Sequence, residues 1–211
     1  MRGAMAARQQ CQHGRHKSFF SYRGLFAFAV FLVTSNTSRA TEMFSSYLGT
    51  GTTVHSDTVY ATICGGADHS AAGDYPTIAG GENNQAGKEG TTFAFVGGGT
   101  ENTGRGSFSV VSGGFQNVAG NFSFIGAGSE NRASGDWSVV VGGQRNHALG
   151  RYSVVVSGVS NVADGSHSAV IGGESNTVRG QGNTIFRGSE CFVNGTVSTV
   201  LSGFVITCIQ F

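Results

Sequence analysis

A fifteen-residue period runs through most of this chain, and it constrains the fold more than any single residue does. From Gly128 the sequence reads G-S-E-N-R-A-S-G-D-W-S-V-V-V-G, and the stretches from Gly143 and Gly158 repeat the same order of residue types. The frame extends to Gly51, Gly66, Gly81, Gly99 and Gly114 upstream and to Gly173, Gly188 and Gly203 downstream, with three extra residues after Gly81 and one missing after Gly114. A period this short, sustained over ten intervals, implies stacked coils of one chain.

We number each repeat from its glycine as position 0. Position 7 is again glycine in Gly73, Gly106, Gly135, Gly150, Gly165, Gly180 and Gly195, which predicts two tight turns per coil where glycine takes positive φ cheaply. Two strands of about five residues should lie between the turns and stack in parallel on the next coil, roughly 4.8 Å away. The first, over positions 2 to 6, alternates: Asn at position 3 (Asn84, Asn102, Asn117, Asn131, Asn146, Asn161, Asn176) and a small residue at position 5 (Ala71, Ala86, Ala119, Ala133, Ala148, Ala163) lie between mostly polar positions. One face is expected inside and the other wet, with the asparagines forming an amide ladder.

The second strand, over positions 9 to 13, is apolar on both faces. Aliphatic residues at position 12 (Ile78, Val111, Ile125, Val140, Val155, Val170, Ile185, Val200) share a face with serines at position 10. The opposite face carries Tyr75, Phe108, Phe122, Trp137 and Tyr152 at position 9, Val110, Val139 and Val154 at position 11, and Val141, Val156, Ile171, Phe186 and Leu201 at position 13. A two-stranded coil encloses only one of these faces, and the other makes a stripe larger than soluble monomers usually expose. Self-association is expected, and aspartate at either Val140 or Val141 is expected to be disruptive.

The N-terminus departs from this pattern. Arg2, Arg8, Arg15, Lys17 and Arg23 precede the apolar run Leu25 to Val33, and Ser38-x-Ala40 resembles a cleavage site, so residues 1–40 read as a signal peptide. A membrane anchor and an organelle transit peptide are the alternatives. The apolar run is about half of the roughly twenty residues that a spanning helix needs. Residues 41–50 then form a linker and 51–211 the repeat domain. With a formal net charge of +1 the chain lacks an electrostatic footprint for nucleic acid. Cys64, Cys191 and Cys208 lack metal-type spacing, and the last two sit two phases apart in successive coils.

The recurring N-x-A-x-G-x-(aromatic)-S-x-V-x-G-G resembles the head repeats of YadA-like trimeric autotransporter adhesins, over about Gly51 to Gly203. That resemblance implies a left-handed parallel β-roll that trimerises and binds extracellular matrix or cell surfaces. The resemblance does not extend to the family's stalk and membrane anchor: residues 204–211, after Gly203, carry no heptad pattern. The fold expected is therefore all-β: a parallel β-solenoid of about ten coils in a homotrimer, secreted or at the cell surface.

Chemistry is not expected. His147 and His167 fall on different strands, and the recurrent acids at position 2 (Asp68, Glu101, Glu130, Glu190) are interrupted by Gln116 and Arg145. These read as a solvated face rather than paired carboxylates, so no catalytic, cofactor-binding or metal-binding residue is assigned. A structural wall or coat protein and an ice-binding solenoid are the competing functions. Thr52, Thr53, Thr58 and Thr62 are the one locally dense run of threonines. The Lys88–Glu89 insertion is expected to bulge as a loop, and Asn121-Phe122-Ser123 and Asn194-Gly195-Thr196 match the N-glycosylation triplet.

Overall fold

A computed structural model describes residues 50–55 and 58–201 in full, and the backbone alone of Phe31–Val33, Met43–Tyr47, Gly203–Phe204 and Thr207–Ile209. Two parallel ladders run the length of a solenoid of about ten coils. One holds the first strand of each coil, as in Arg132–Ala133, His147–Ala148 and Val162–Ala163; the other holds the second strand, as in Val139–Val140, Val154–Val155 and Ala169–Val170. Isolated bridges at position 1, among them Phe115 to Ser129 and Ser129 to Gln144, add a third line of contact between coils. Most of the reading of residues 1–40 as a presequence and of 41–50 as a linker lies outside the described residues. Within those spans, Met43–Tyr47 pairs in parallel with Thr62–Ile63 and antiparallel with Phe31–Val33.

The strands are shorter than the five residues expected. They cover little more than positions 4–5 and 11–12, because non-glycine residues at positions 2 and 9 take left-handed conformations, as in Glu130 at φ 57° and Trp137 at φ 62°. Such a residue costs on the order of 1–2 kcal/mol. The compensation is visible in the hydrogen bonds. Strand N–H groups donate forward to the next coil, as from Val139 to the Ser153 carbonyl, whereas the left-handed residues turn their N–H groups backward, Glu130 to Phe115 O at 2.8 Å and Trp137 to Asn121 O at 3.2 Å. Each coil is thereby bonded in both directions at its corners.

Two glycine assignments need correction. Gly106, Gly135, Gly150 and Gly165 at position 7 do not have positive φ; they are required because a Cβ there would run into the backbone of the following coil, for Gly150 at the Gly165 carbonyl. Gly51 is not at position 0 in the first ladder. Thr50 bridges Ala67 and Thr53 pairs with Ser70, so Gly51 stands opposite Asp68 at position 2, and the first coil holds two extra residues before its second strand.

The core is thin and regular. A small residue at position 5, Ala in most coils, Gly104 in one and Val178 later, and Val or Ile at position 12 are fully enclosed from Ala71 and Ile78 to Val178 and Ile185, mostly with Asn at position 3 and Ser at position 10 beside them. The asparagines do more than line up. Asn146 Nδ2 donates to the Gly142 carbonyl at 3.0 Å and to the Gly158 carbonyl of the next coil at 2.8 Å, while its Oδ1 accepts the Asn161 N–H at 3.0 Å. Asn84, Asn102, Asn117, Asn131, Asn161 and Asn176 repeat this arrangement. His69 stands in for asparagine in an earlier coil: its Nδ1 accepts the Asn84 N–H and its Nε2 donates to the Gly65 carbonyl, which fixes the tautomer. The serine column is less uniform. Ser123 Oγ donates to the Gly120 and Ala133 carbonyls, but Ser153 Oγ is buried without a partner among the described residues.

This contrast is testable by urea unfolding. Asn146→Ala strands buried donors and acceptors in two coils and should cost about 3 kcal/mol, at one to three per unsatisfied group. Ser153→Ala removes a hydroxyl that has no partner and should leave stability unchanged or slightly raised.

Candidate interaction surfaces

The outer face of the second ladder is the most distinctive surface. At position 9 the left-handed backbone aims eight successive rings along one corner: Tyr60, Tyr75, Phe93, Phe108, Phe122, Trp137, Tyr152 and His167. Their centroids lie between 4.2 Å and 6.3 Å apart, most pairs stacked within about 20° of parallel. The rung spacing of a parallel ladder brings each ring to stacking distance from the next. The column remains substantially exposed, from 36% at Tyr60 to 49% at Phe93. The sequence pattern showed aromatics at this phase, but their continuous stacking depends on a non-glycine left-handed corner that composition does not announce.

Positions 11 and 13 continue the apolar face with complementary sizes. Phe95 and Phe124 at position 11 each lie against a glycine two residues on, Gly97 and Gly126, where a Cβ would come within 3.3–3.4 Å of the ring. Farther along, position 13 enlarges to Val141, Val156, Ile171 and Phe186 while position 9 shrinks to His167 and Gly182. The largest side chains thus shift across the face, from position 9 toward position 13, along the rod. Val140 has no exposure, whereas its neighbour Val141 is 48% exposed in the single chain. Threonine occupies position 11 at Thr62, Thr77, Thr184 and Thr199 and is replaced by apolar residues in the coils between, while Thr58 is buried and donates to the Ala71 carbonyl.

The face of the first ladder is mostly polar, with Val118, Leu149, Val162 and Phe192 interrupting it. Gln116 Nε2 donates to Glu101 Oε2 at 2.6 Å, so the glutamine that interrupts the acidic column bonds to it. Arg132 and His147 are direct neighbours across the ladder. Burial lowers the His147 pKa, and the adjacent Arg132 lowers it further. Arg132 Nε donates to Ser134 Oγ at 2.7 Å, Arg105 Nη2 reaches the same oxygen at 3.5 Å, and Arg179 pairs with Asp164 at 3.8 Å.

The remaining sequence-predicted residues are not brought into one site. His147 and His167 occupy different faces, and no group of three His, Cys, Asp or Glu side chains able to hold a metal occurs among the described residues. Cys64 is exposed and free; Cys191 is buried and outside any disulfide, with Val193 rather than Cys191 standing opposite Cys208. The Lys88–Glu89 insertion forms an exposed loop closed by Thr91, whose Oγ1 accepts the Lys88 N–H and donates to the Lys88 carbonyl. Of the two glycosylation triplets, Asn121 is tied to the Ser107 N–H and followed by a buried Ser123, whereas Asn194 and Thr196 are both exposed. No known protein family matches this sequence, and no curated protein matches it.

Two outcomes follow for the ladders. Val140→Asp should abolish folding, because an aspartate there has neither solvent nor partner, while Val141→Asp should keep the circular dichroism of the wild type and act on self-association, read as solution mass. For His147, a lowered folded pKa means that the unfolded chain takes up the proton first. Its contribution is absent above about pH 6.5, the usual histidine value, and stability should fall as pH drops below that value toward the folded pKa. His147→Gln should flatten this limb in melting curves taken between pH 7.5 and 5.

Proposed function

We propose that the chain is a secreted or surface-exposed adhesin-like binding module, assembled as a homotrimeric rod that contacts extracellular matrix or cell-surface ligands. The observation that carries this reading is the apolar strip on the second ladder, with its column of eight half-exposed rings. On a rod of about ten coils the strip runs on the order of 50 Å, well beyond the patch that a soluble monomer leaves uncovered. A cyclic assembly covers such a strip on every chain without leaving one open.

The thin core supports the same reading. Most coils enclose little more than one alanine and one Val or Ile, worth roughly 1.5–3 kcal/mol for the larger residue. Burial between chains adds apolar area that the coil cannot supply alone. With the strip turned inward, the polar first-ladder faces of three chains point outward. Adhesion then comes from many weak contacts multiplied by avidity. The sequence resemblance to YadA-like head repeats agrees with this arrangement.

The test is the solution mass of the full chain by light scattering, with and without reductant, followed by binding to immobilised matrix proteins and glycans. A folded trimer independent of reductant that retains ligand is the expected result. A folded monomer overturns the trimer, and a trimer that binds nothing in the panel overturns the adhesive role in favour of a structural one.

A further inference from the structure

We propose that the first-ladder face carries a binding site for a sulfated polysaccharide, built on Arg105, Arg132 and Ser134. This rests on the reading above only in naming the ligand class of the outward face. Three observations carry it. Two guanidinium groups from coils two rungs apart converge on one hydroxyl, Ser134 Oγ, at 2.7 Å and 3.5 Å. Arg179 is engaged with Asp164, but no carboxylate lies within ion-pairing distance of Arg105 or Arg132 among the described residues. Between their coils position 6 is Gly120, which leaves the space between the two side chains without one of its own.

Placement along the rod extends the site. Gly87 bonds to the Gly104 carbonyl, so the exposed Lys88 at the mouth of the insertion lies on the coil next to Arg105 and on the same corner. Lys88, Arg105 and Arg132 then form a basic line that follows the ladder over four coils. Thr103 and Val118 are the position 4 residues between. Arginine presents a planar fork that matches an oxyanion bidentately, and Ser134 supplies a hydroxyl able to donate once the guanidinium groups turn to the ligand. Cations that recur along the rod, first at one rung and then at two, suit an extended sulfated chain better than a compact anion. The chain's net charge is close to zero, so any such affinity must come from this placement and not from overall attraction.

The experiment measures binding of the full chain to heparin by calorimetry at several salt concentrations, with desulfated heparin and neutral dextran as comparators. Expected are binding to heparin alone, a loss of at least about tenfold in Arg105→Ala/Arg132→Ala, and a fall of about two in the salt slope, one unit for each arginine–sulfate pair removed. Arg105→Lys/Arg132→Lys, which keeps the charge, should recover part of the affinity. The control is Arg145→Ala/Arg187→Ala, which removes the same charge from exposed residues at positions 2 and 14. Equal losses in control and test variants, or equal binding to desulfated heparin, would overturn the site. So would the absence of heparin binding at low salt. Light scattering on the same samples separates the two proposals: a monomer that binds heparin sinks the trimer and leaves the site, and a trimer indifferent to heparin does the reverse.

Discussion

The asparagine at position 3 is the interaction on which the rest of the solenoid depends. Two-residue strands have too few ladder bonds to hold a register, and a slip of one residue would turn every side chain to the other face. Each asparagine removes that freedom by joining three backbone segments: its own coil four residues back, the following glycine corner, and the N–H of its counterpart. Because the Oδ1 of one asparagine accepts from the backbone of the next, the positions are linked in series from His69 to Cys191. A fully satisfied buried polar network of this kind specifies a single arrangement where a thin apolar core would tolerate several.

With register settled, the two ladder faces separate by function. The inward column of Val and Ile needs only to fill a narrow space, which explains why β-branched residues recur at position 12 without aromatic substitution. The aromatics are sent outward by the left-handed corner at position 9, and there they stack on one another rather than on the core. The polar face on the opposite ladder is free to vary, and it collects the charged groups, including the Arg105 and Arg132 pair.

Much of this was legible in the sequence because the chain repeats. Ten copies of one phase turn a weak preference, Asn or Val at a position, into a strong statement about inside and outside, and Asn84 to Asn176 and Ile78 to Val200 fall where the period places them. The backbone conformation of single residues was not legible. Glu130 and Trp137 carry no composition signal for positive φ, because the conformation is imposed by the backward hydrogen bonds of the stacked coil. Glycine misled in the opposite sense: Gly150 marks a close approach of two backbones, a tertiary fact that a turn preference imitates. The convergence of Arg105 and Arg132 was also hidden, since it joins residues two repeats apart through a serine that looks like filler.

Two of the irregularities in the period share one location. The three extra residues lie in the loop from Gly87 to Thr91, and the missing one falls between Ala119 and Phe122, both at the corner that leads from the first strand to the second. Neither disturbs the pairing on either side: Gln85–Ala86 still meets Thr103–Gly104, and Val118–Ala119 still meets Arg132–Ala133. This corner therefore acts as a splice point, where peptide can be added or trimmed while the rungs keep count. A foreign epitope grafted at Glu89 would be held out from the side of a rigid rod, at a height set by the coil that carries it.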